Sequence, residues 1–219
     1  MNPKYQYEVK VPASWKEGER YPAIFTLHGK GSNEQNMFGL VAPLAEEFII
    51  IGIRGNMPLG LGYQYYDLKS LGNPVREMFD QAAADLAEVI SYATEKYPIM
   101  PDRRYLLGFS QGAILSMTLA LTMGGQLKGI IALNGYVPDF VKTEYTLRSM
   151  KNVSVFASHG EYDSVFPVRI GHETAAYLQE QTDNLTFKLY PSDHGVTEEN
   201  QHDFLSWLRQ DAGILNHKE

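Results

Sequence analysis

Short runs rich in β-branched and aromatic residues alternate along this chain with longer segments of helical period. That alternation constrains the fold more than any other feature, because it is what a parallel sheet with crossover helices produces. The candidate strands are YPAIFTLHG from Tyr21, EFIIIGIRG from Glu47, RRYLLGFS from Arg103, KGIIALNG from Lys128, NVSVFASHG from Asn152 and LTFKLYPSDHG from Leu185. Almost all are apolar on consecutive positions, which suits strands covered on both faces. The stretch from Tyr5 to Val11, YQYEVKV, alternates in polarity and is expected to be an antiparallel or edge strand with one wet face. The clearest helix runs from Pro74 to Tyr97, with Val75, Met78, Phe79, Ala82, Leu86, Val89, Ile90 and Ala93 forming its apolar stripe. Further helices are expected at about 35–47, 111–123, 168–181 and 198–210. The Gly-rich piece from Arg54 to Gly62 reads as a long loop after a strand, and no repeat, low-complexity tract or linker interrupts the pattern. The predicted fold class is α/β, with a mostly parallel central sheet carrying helices on both faces.

A chain of 219 residues suffices for a sizeable core, and one domain over 1–219 is the expectation. The formal net charge of −7 comes from scattered acids and bases, with no Lys/Arg run to track a phosphate backbone, which argues against a nucleic-acid partner. Cysteine is absent, which excludes disulfides, thiolate zinc sites and sulfur nucleophiles. No segment approaches the roughly 18 to 20 apolar residues of a membrane span, and the N-terminal stretch lacks a signal-like apolar run; a cytoplasmic protein is expected.

The strongest local signal is Gly108-Phe109-Ser110-Gln111-Gly112, set between the apolar run Tyr105-Leu106-Leu107 and the helix-period segment Ala113-Ile114-Leu115-Ser116-Met117. Strand, sharp turn and helix are the context in which a Gly-x-Ser-x-Gly sequence presents a nucleophile. The flanking glycines let strand and helix pass closely, and the helix N-terminus favours the negative charge that develops in acyl transfer. Ser110 is the candidate nucleophile and the Gln111 N–H one expected oxyanion donor. Five residues with three fixed positions also recur by chance, so the reading depends on partners elsewhere.

Those partners must follow the serine as acid and then base, each after a later strand. Asp163 follows NVSVFASHG and His194 follows LTFKLYPS. His194 would take the Ser110 proton and return it to the leaving group, while Asp163 would orient the imidazole and stabilise its charged form. Glu161 competes with Asp163. Each residue also has a structural alternative: Asp163 as the cap or turn residue before the next helix, His194 as a hydrogen-bonded loop residue beside Asp193. His172, His202 and His217 lie away from strand ends and are read as surface or packing residues, and His159 as shaping the turn that leads to Asp163. No HExxH pattern or close His/carboxylate cluster occurs, so no metal is expected.

Leu27-His28-Gly29-Lys30-Gly31 follows the first long strand, where the second oxyanion N–H of such a sheet arises; Lys30 is the candidate donor, with His28 holding the loop. An ordinary Gly-rich turn is the alternative.

LHGKGS, RGNMPLGLGYQYYDL, GFSQGAILS, ALNGYVPD, HGEYDSVFPV and SDHG together resemble the phospholipase/carboxylesterase family, over nearly the whole chain. The resemblance implies the α/β-hydrolase fold, Ser110, Asp163 and His194 as the triad, Lys30 and Gln111 as the oxyanion hole, and hydrolysis of esters or thioesters without a cofactor. It also allows a homodimer. Short to medium acyl groups are implied, and Met57, Leu59, Leu61, Tyr63, Val165 and Phe166, on loops near the proposed site, are candidates to line an acyl pocket. The family usually carries an acidic residue shortly after the HGxG segment, where this chain has Ser32-Asn33. Acyl transfer to another acceptor, thioester hydrolysis, and a non-catalytic binding protein on the same scaffold remain alternatives to a carboxylesterase.

Overall fold

A computed structural model describes residues 4–214. The elements are β1 (Tyr7–Lys10), β2 (Tyr21–Leu27), α1 (Glu34–Val41), β3 (Ile49–Ile53), β4 (Met57–Leu59), β5 (Gly62–Gln64), β6 (Leu68–Ser70), β7 (Asn73–Pro74), α2 (Arg76–Lys96), β8 (Ile99–Phe109), α3 (Gln111–Met123), β9 (Gly129–Leu133), α4 (Asp139–Glu144), β10 (Ser154–Gly160), α5 (Val168–Gln181), β11 (Leu185–Tyr190) and α6 (Glu198–Asp211). Seven strands form one sheet in the order β1-β3-β2-β8-β9-β10-β11, with β1 antiparallel to β3 and every other pairing parallel. The alternating strand is thus the edge strand its pattern predicts.

Consecutive apolar residues in the central strands serve two cores at once. Ala23, Phe25 and Leu27 of β2, with Ile49, Ile51 and Ile53 of β3, face α2 and α3, whereas Ile24 and Ile50 point the other way toward α1 and α6. On β8 the same alternation sends Leu106 to the first core and Tyr105 and Leu107 to the second. Each of the Leu, Ile and Phe side chains among these stabilises by roughly 1.5 to 3 kcal/mol when taken out of water, so a shift of register by one residue would exchange the two faces and is strongly disfavoured. Helix α3 is buried at every residue except Thr122, which explains why its sequence is apolar all round rather than striped.

Four expectations need correction. The helix predicted to run to 47 ends at Val41 and continues only as a 3₁₀ turn, Ala42–Leu44, because Pro43 removes a helical N–H and crowds the preceding turn. The piece from Arg54 to Gly62 is not a plain loop: β4 and β5 pair as a hairpin through Gly60-Leu61, and Gly60 at φ +60° supplies the first position of a tight two-residue turn. Met78 is exposed on the flank of α2, outside the stripe that buries Phe79, Ala82, Leu86, Val89, Ile90 and Ala93. Finally, β11 is an edge strand and only partly buried along most of its length. Among the described residues no helix is long and apolar enough to cross a membrane.

Candidate active site

Three loops at the C-terminal ends of parallel strands converge on Ser110, the location open α/β sheets offer to ligands. Ser110 follows β8 with φ +53° and ψ −114°, a left-handed conformation rarely adopted by a residue with a side chain. Its backbone N–H is held by the Leu133 carbonyl of β9 at 2.9 Å, and its own carbonyl accepts from Ala113 and Ile114 to start α3. A Cβ on Gly108 would stand 2.2 Å from the Gly112 carbonyl oxygen, so the elbow closes only with glycine there.

His194 reaches this serine from the loop after β11. Its Nε2 lies 2.8 Å from Ser110 Oγ and its Nδ1 lies 2.8 Å from Asp163 Oδ2. An ionised carboxylate only accepts, so Nδ1–H donates to Asp163, leaving the Nε2 lone pair to accept the Ser110 Oγ–H. The imidazole is wedged between the Phe109 and Phe166 rings, with centroids at 5.2 and 5.3 Å. Asp193 braces the loop: its Oδ1 accepts from the Ser164 N–H and Oγ–H and from the His194 N–H, tying the loop of His194 to that of Asp163.

Asp163 is buried after β10, and its carboxylate is surrounded by donors. Oδ1 accepts the Val165 and Phe166 N–H groups at 2.9 and 2.7 Å, while Oδ2 accepts His194 Nδ1–H and, at 3.1 Å, Asn134 Nδ2–H. Burial alone would raise the carboxyl's pKa; the bonds from His194, Phe166 N–H and Asn134 outweigh it and hold the group below its ordinary range. Asp163 therefore also caps the turn before α5, so the structural alternative and the triad geometry coexist in one side chain. Glu161 is exposed, and His194 Nδ1 bonds Asp163 instead. His159 is buried and donates Nε2–H to the Phe166 carbonyl at 2.7 Å, fixing the segment after Asp163.

The loop after β2 approaches from the other side. A Cβ on Gly29 would lie 3.4 Å from Ser110 Cβ, which sets the next residue, Lys30, beside Ser110. Among the described residues neither the Lys30 nor the Gln111 N–H meets a backbone acceptor. The Gln111 side chain is engaged elsewhere, accepting from Tyr65 N–H at 2.8 Å and donating to the Tyr66 carbonyl at 2.9 Å. His28 is buried below the loop. Its Nε2 accepts from Gly55 N–H at 2.9 Å, so Nδ1–H donates to the Gly29 carbonyl at 2.8 Å, and its ring stacks on Tyr65 at 4.7 Å. Burial holds the His28 pKa below its ordinary value. Although Ser32-Asn33 lacks the acidic residue expected there, Glu34 follows at once, buried and bonded through both oxygens to Arg54. Arg54 lowers the Glu34 pKa in turn.

A cavity of about 360 Å³ opens over Ser110 and His194, walled by Lys30, Met37, Leu40, Phe109 and Val196 among others. None of the six residues expected to line an acyl pocket borders it. Leu61 is fully exposed at the hairpin tip, Leu59 is exposed beside it, and Met57 borders a different cavity with Tyr5 and Tyr65. Tyr63 is a scaffold residue: its backbone pairs with Gly31 and Ser32 at 2.8 and 2.7 Å, and its ring lies under Arg54. The hairpin therefore braces the Lys30 loop rather than entering the site. Val165 and Phe166 border a neighbouring cavity of about 470 Å³, from which the Phe166 ring separates His194. Met37 and Leu40, which the sequence analysis did not single out, line the cavity from α1, where their apolar character matches that of any helix facing a core. Of the remaining histidines, His172 is exposed on α5 with its ring against Phe187, His202 is exposed on α6, and His217 lies outside the described residues.

A family model described as Phospholipase/Carboxylesterase matches residues 14–210. The acyl-protein thioesterase 1 of Candida albicans is 30% identical over 225 aligned positions, covering 92% of this chain and 96% of that protein. Among solved structures, a carboxylesterase of Bacillus cereus superimposes with a TM-score of 0.84 at 20% identity, over 96% of both chains. The acyl-protein thioesterase 2 of Zea mays does so with a TM-score of 0.75 at 23% identity, over 95% of this chain and 99% of that one.

Proposed function

Because this chain belongs to the phospholipase/carboxylesterase family of α/β-hydrolases and is thus a hydrolase of ester bonds, we propose that it works as a serine carboxylesterase through an acyl-enzyme on Ser110. The observation that carries the proposal is the unbroken chain from Ser110 Oγ through the His194 ring to Asp163 Oδ2, with both contacts at 2.8 Å.

On this reading Ser110 Oγ attacks the ester carbonyl carbon as its proton passes to His194 Nε2. The former carbonyl oxygen, now an oxyanion, is held by the Lys30 and Gln111 N–H groups at the positive end of α3. Collapse breaks the bond to the leaving alcohol, which takes the proton from Nε2. A water then gives its proton to Nε2 and attacks the acyl carbon; collapse breaks the bond from that carbon to Ser110 Oγ, Oγ retakes the proton from Nε2, and the carboxylic acid leaves. The cavity over Ser110, about 360 Å³ and largely apolar in its walls, favours a short to medium apolar substituent. A thioester is the second reading, favoured by the thioesterase relative that aligns over 92% of this chain.

Intact mass after treatment with a fluorophosphonate tests the proposal: one adduct on Ser110 is expected, together with cleavage of p-nitrophenyl esters. A panel pairing each oxygen ester with its thioester separates the two readings. Absence of both labelling and turnover would overturn the serine mechanism.

A further inference from the structure

We propose that Asn134 is a positioning residue for this reaction, its amide holding the Asp163 carboxylate in line with His194; the proposal rests on the triad reading above. Two non-glycine residues among those described adopt a positive φ, and both do so at +53°: Ser110 and Asn134. They are neighbours across the sheet. Phe109 pairs with Leu133 in the β8–β9 register, so Ser110 and Asn134 are the next positions on adjacent strands. Leu133 in turn pairs with Ser158 of β10, which brings His159 to the other side of Asn134. Backbone bonds lock this row, from Ser110 N–H to the Leu133 carbonyl and from Asn134 N–H to the Ser158 carbonyl, each 2.9 Å.

Local backbone chemistry favours glycine at such a position, since glycine enters the left-handed region without strain. Asparagine tolerates it less well and here adds a second burden, because its Oδ1 is buried without a hydrogen-bond partner. What the side chain contributes in return is a single contact, Nδ2–H to Asp163 Oδ2 at 3.1 Å, on the same oxygen that accepts His194 Nδ1–H at 2.8 Å. The other oxygen is fixed by Val165 and Phe166 N–H. His159, the remaining titratable group facing Asp163, stands 3.5 Å from Oδ2 and has committed its Nε2–H to the Phe166 carbonyl. Asn134 is therefore the side chain that keeps Oδ2 aimed when the imidazole swings or changes charge. Withdrawing its donor leaves that oxygen dependent on His194 alone.

Two full-length variants test this beside the unaltered chain, Asn134→Gly and Asn134→Asp, with folding followed by thermal melting. Glycine relieves the backbone and removes the donor. It is expected to melt no lower than the parent, with kcat on p-nitrophenyl butyrate reduced about 10- to 100-fold, KM little changed, and the low-field proton resonance of the His194–Asp163 bond shifted or lost. Aspartate keeps the shape and turns the donor into an acceptor. Its kcat should fall further, with the acidic limb of the kcat/KM profile moved to higher pH by the added negative charge. Parental kcat and pH profile in Asn134→Gly would show that the residue serves the backbone only, and overturn the proposal. If the glycine variant does not fold, Asn134→Asp decides, parental kcat overturning the proposal and a loss of tenfold or more supporting it. Failure of both to fold assigns Asn134 a structural role and also overturns it. A parent chain that takes no fluorophosphonate on Ser110 fails the triad reading itself, an outcome separate from any of these.

Discussion

Gly112, in the first turn of α3, lies so close to β2 that a Cβ on it would stand 2.0 Å from the Leu27 carbonyl oxygen. That contact locks the turn carrying Ser110 to the strand that leads into the Lys30 loop, so the two proposed oxyanion donors, Lys30 and Gln111, cannot drift apart. Both partners of the contact are backbone, and no side-chain rotation relieves it. Gly112→Ala is therefore expected to destabilise by about 3 kcal/mol or more, read as a lowered urea midpoint or loss of folded protein. Gly39→Ala, in the middle of α1 with open space around the position, is the control and should stabilise by roughly 0.5 to 1 kcal/mol.

The choice between two carboxylates at the end of β10 gives a second prediction. Asp163 accepts His194 Nδ1–H and three further donors, whereas Glu161 is exposed. Asp163→Asn offers the imidazole a donor where it needs an acceptor, favouring the wrong tautomer. On the order of 10³- to 10⁴-fold loss in kcat is expected, with KM little affected. Glu161→Gln should keep parental kcat. Equal losses in both would refute the assignment of Asp163.

Much of this was legible in the sequence because strand ends are. The strands to either side of Ser110 announce themselves as apolar runs, so a chemical residue directly after one is located by counting, and Ser110, Asp163 and His194 stand together in the structure for that reason. Substrate-facing walls were not legible in the same way. Met57, Leu59 and Leu61 are near the site in sequence terms, but the Gly60-Leu61 turn folds that piece back into a hairpin and points its apolar tip at solvent. Met37 and Leu40 carry the same apolar character as any helix facing a core, and only the three-dimensional path of α1 past the Lys30 loop makes them walls of the cavity. Asn134 had a weak signal, an Asn-Gly pair at a strand end, which ordinarily means no more than a turn.

Acid should weaken the fold in two stages. His28 has a folded pKa below its ordinary value, and in the unfolded chain it takes a proton near pH 6.5. Below that pH the unfolded state binds the extra proton, so the stabilisation from neutral His28 is present above about 6.5 and is lost as pH falls through the lower folded value. Glu34 and Asp163, also lowered, add a second loss with the same sign, beginning where unfolded carboxylates titrate, near pH 4 to 5. Urea unfolding between pH 4 and 8 should show a plateau above 7, a decline from about 6.5, and a steeper one below 5. Removing the upper titration with His28→Asn should flatten the first decline. A rise in stability from pH 7 to 5.5 would contradict the role given to His28.

The cavity over Ser110 makes the last prediction, because its volume rather than its polarity should limit the substrate. Leu40 projects into it from α1, with Met37 alongside, and replacing Leu40 by Trp fills space a longer substituent needs. Each displaced methylene in an apolar pocket is worth roughly 1 to 3 kcal/mol of transition-state binding. The ratio of kcat/KM for an octanoyl over a butyryl p-nitrophenyl ester is accordingly expected to fall at least about tenfold in Leu40→Trp, while the butyryl ester alone is cleaved near the parental rate. Leu61→Ser, at the exposed hairpin tip, should leave the ratio unchanged. The opposite pattern, with Leu61 controlling chain length and Leu40 silent, would mean that the hairpin closes over the site during turnover and that the cavity walled by α1 is not where the substrate binds.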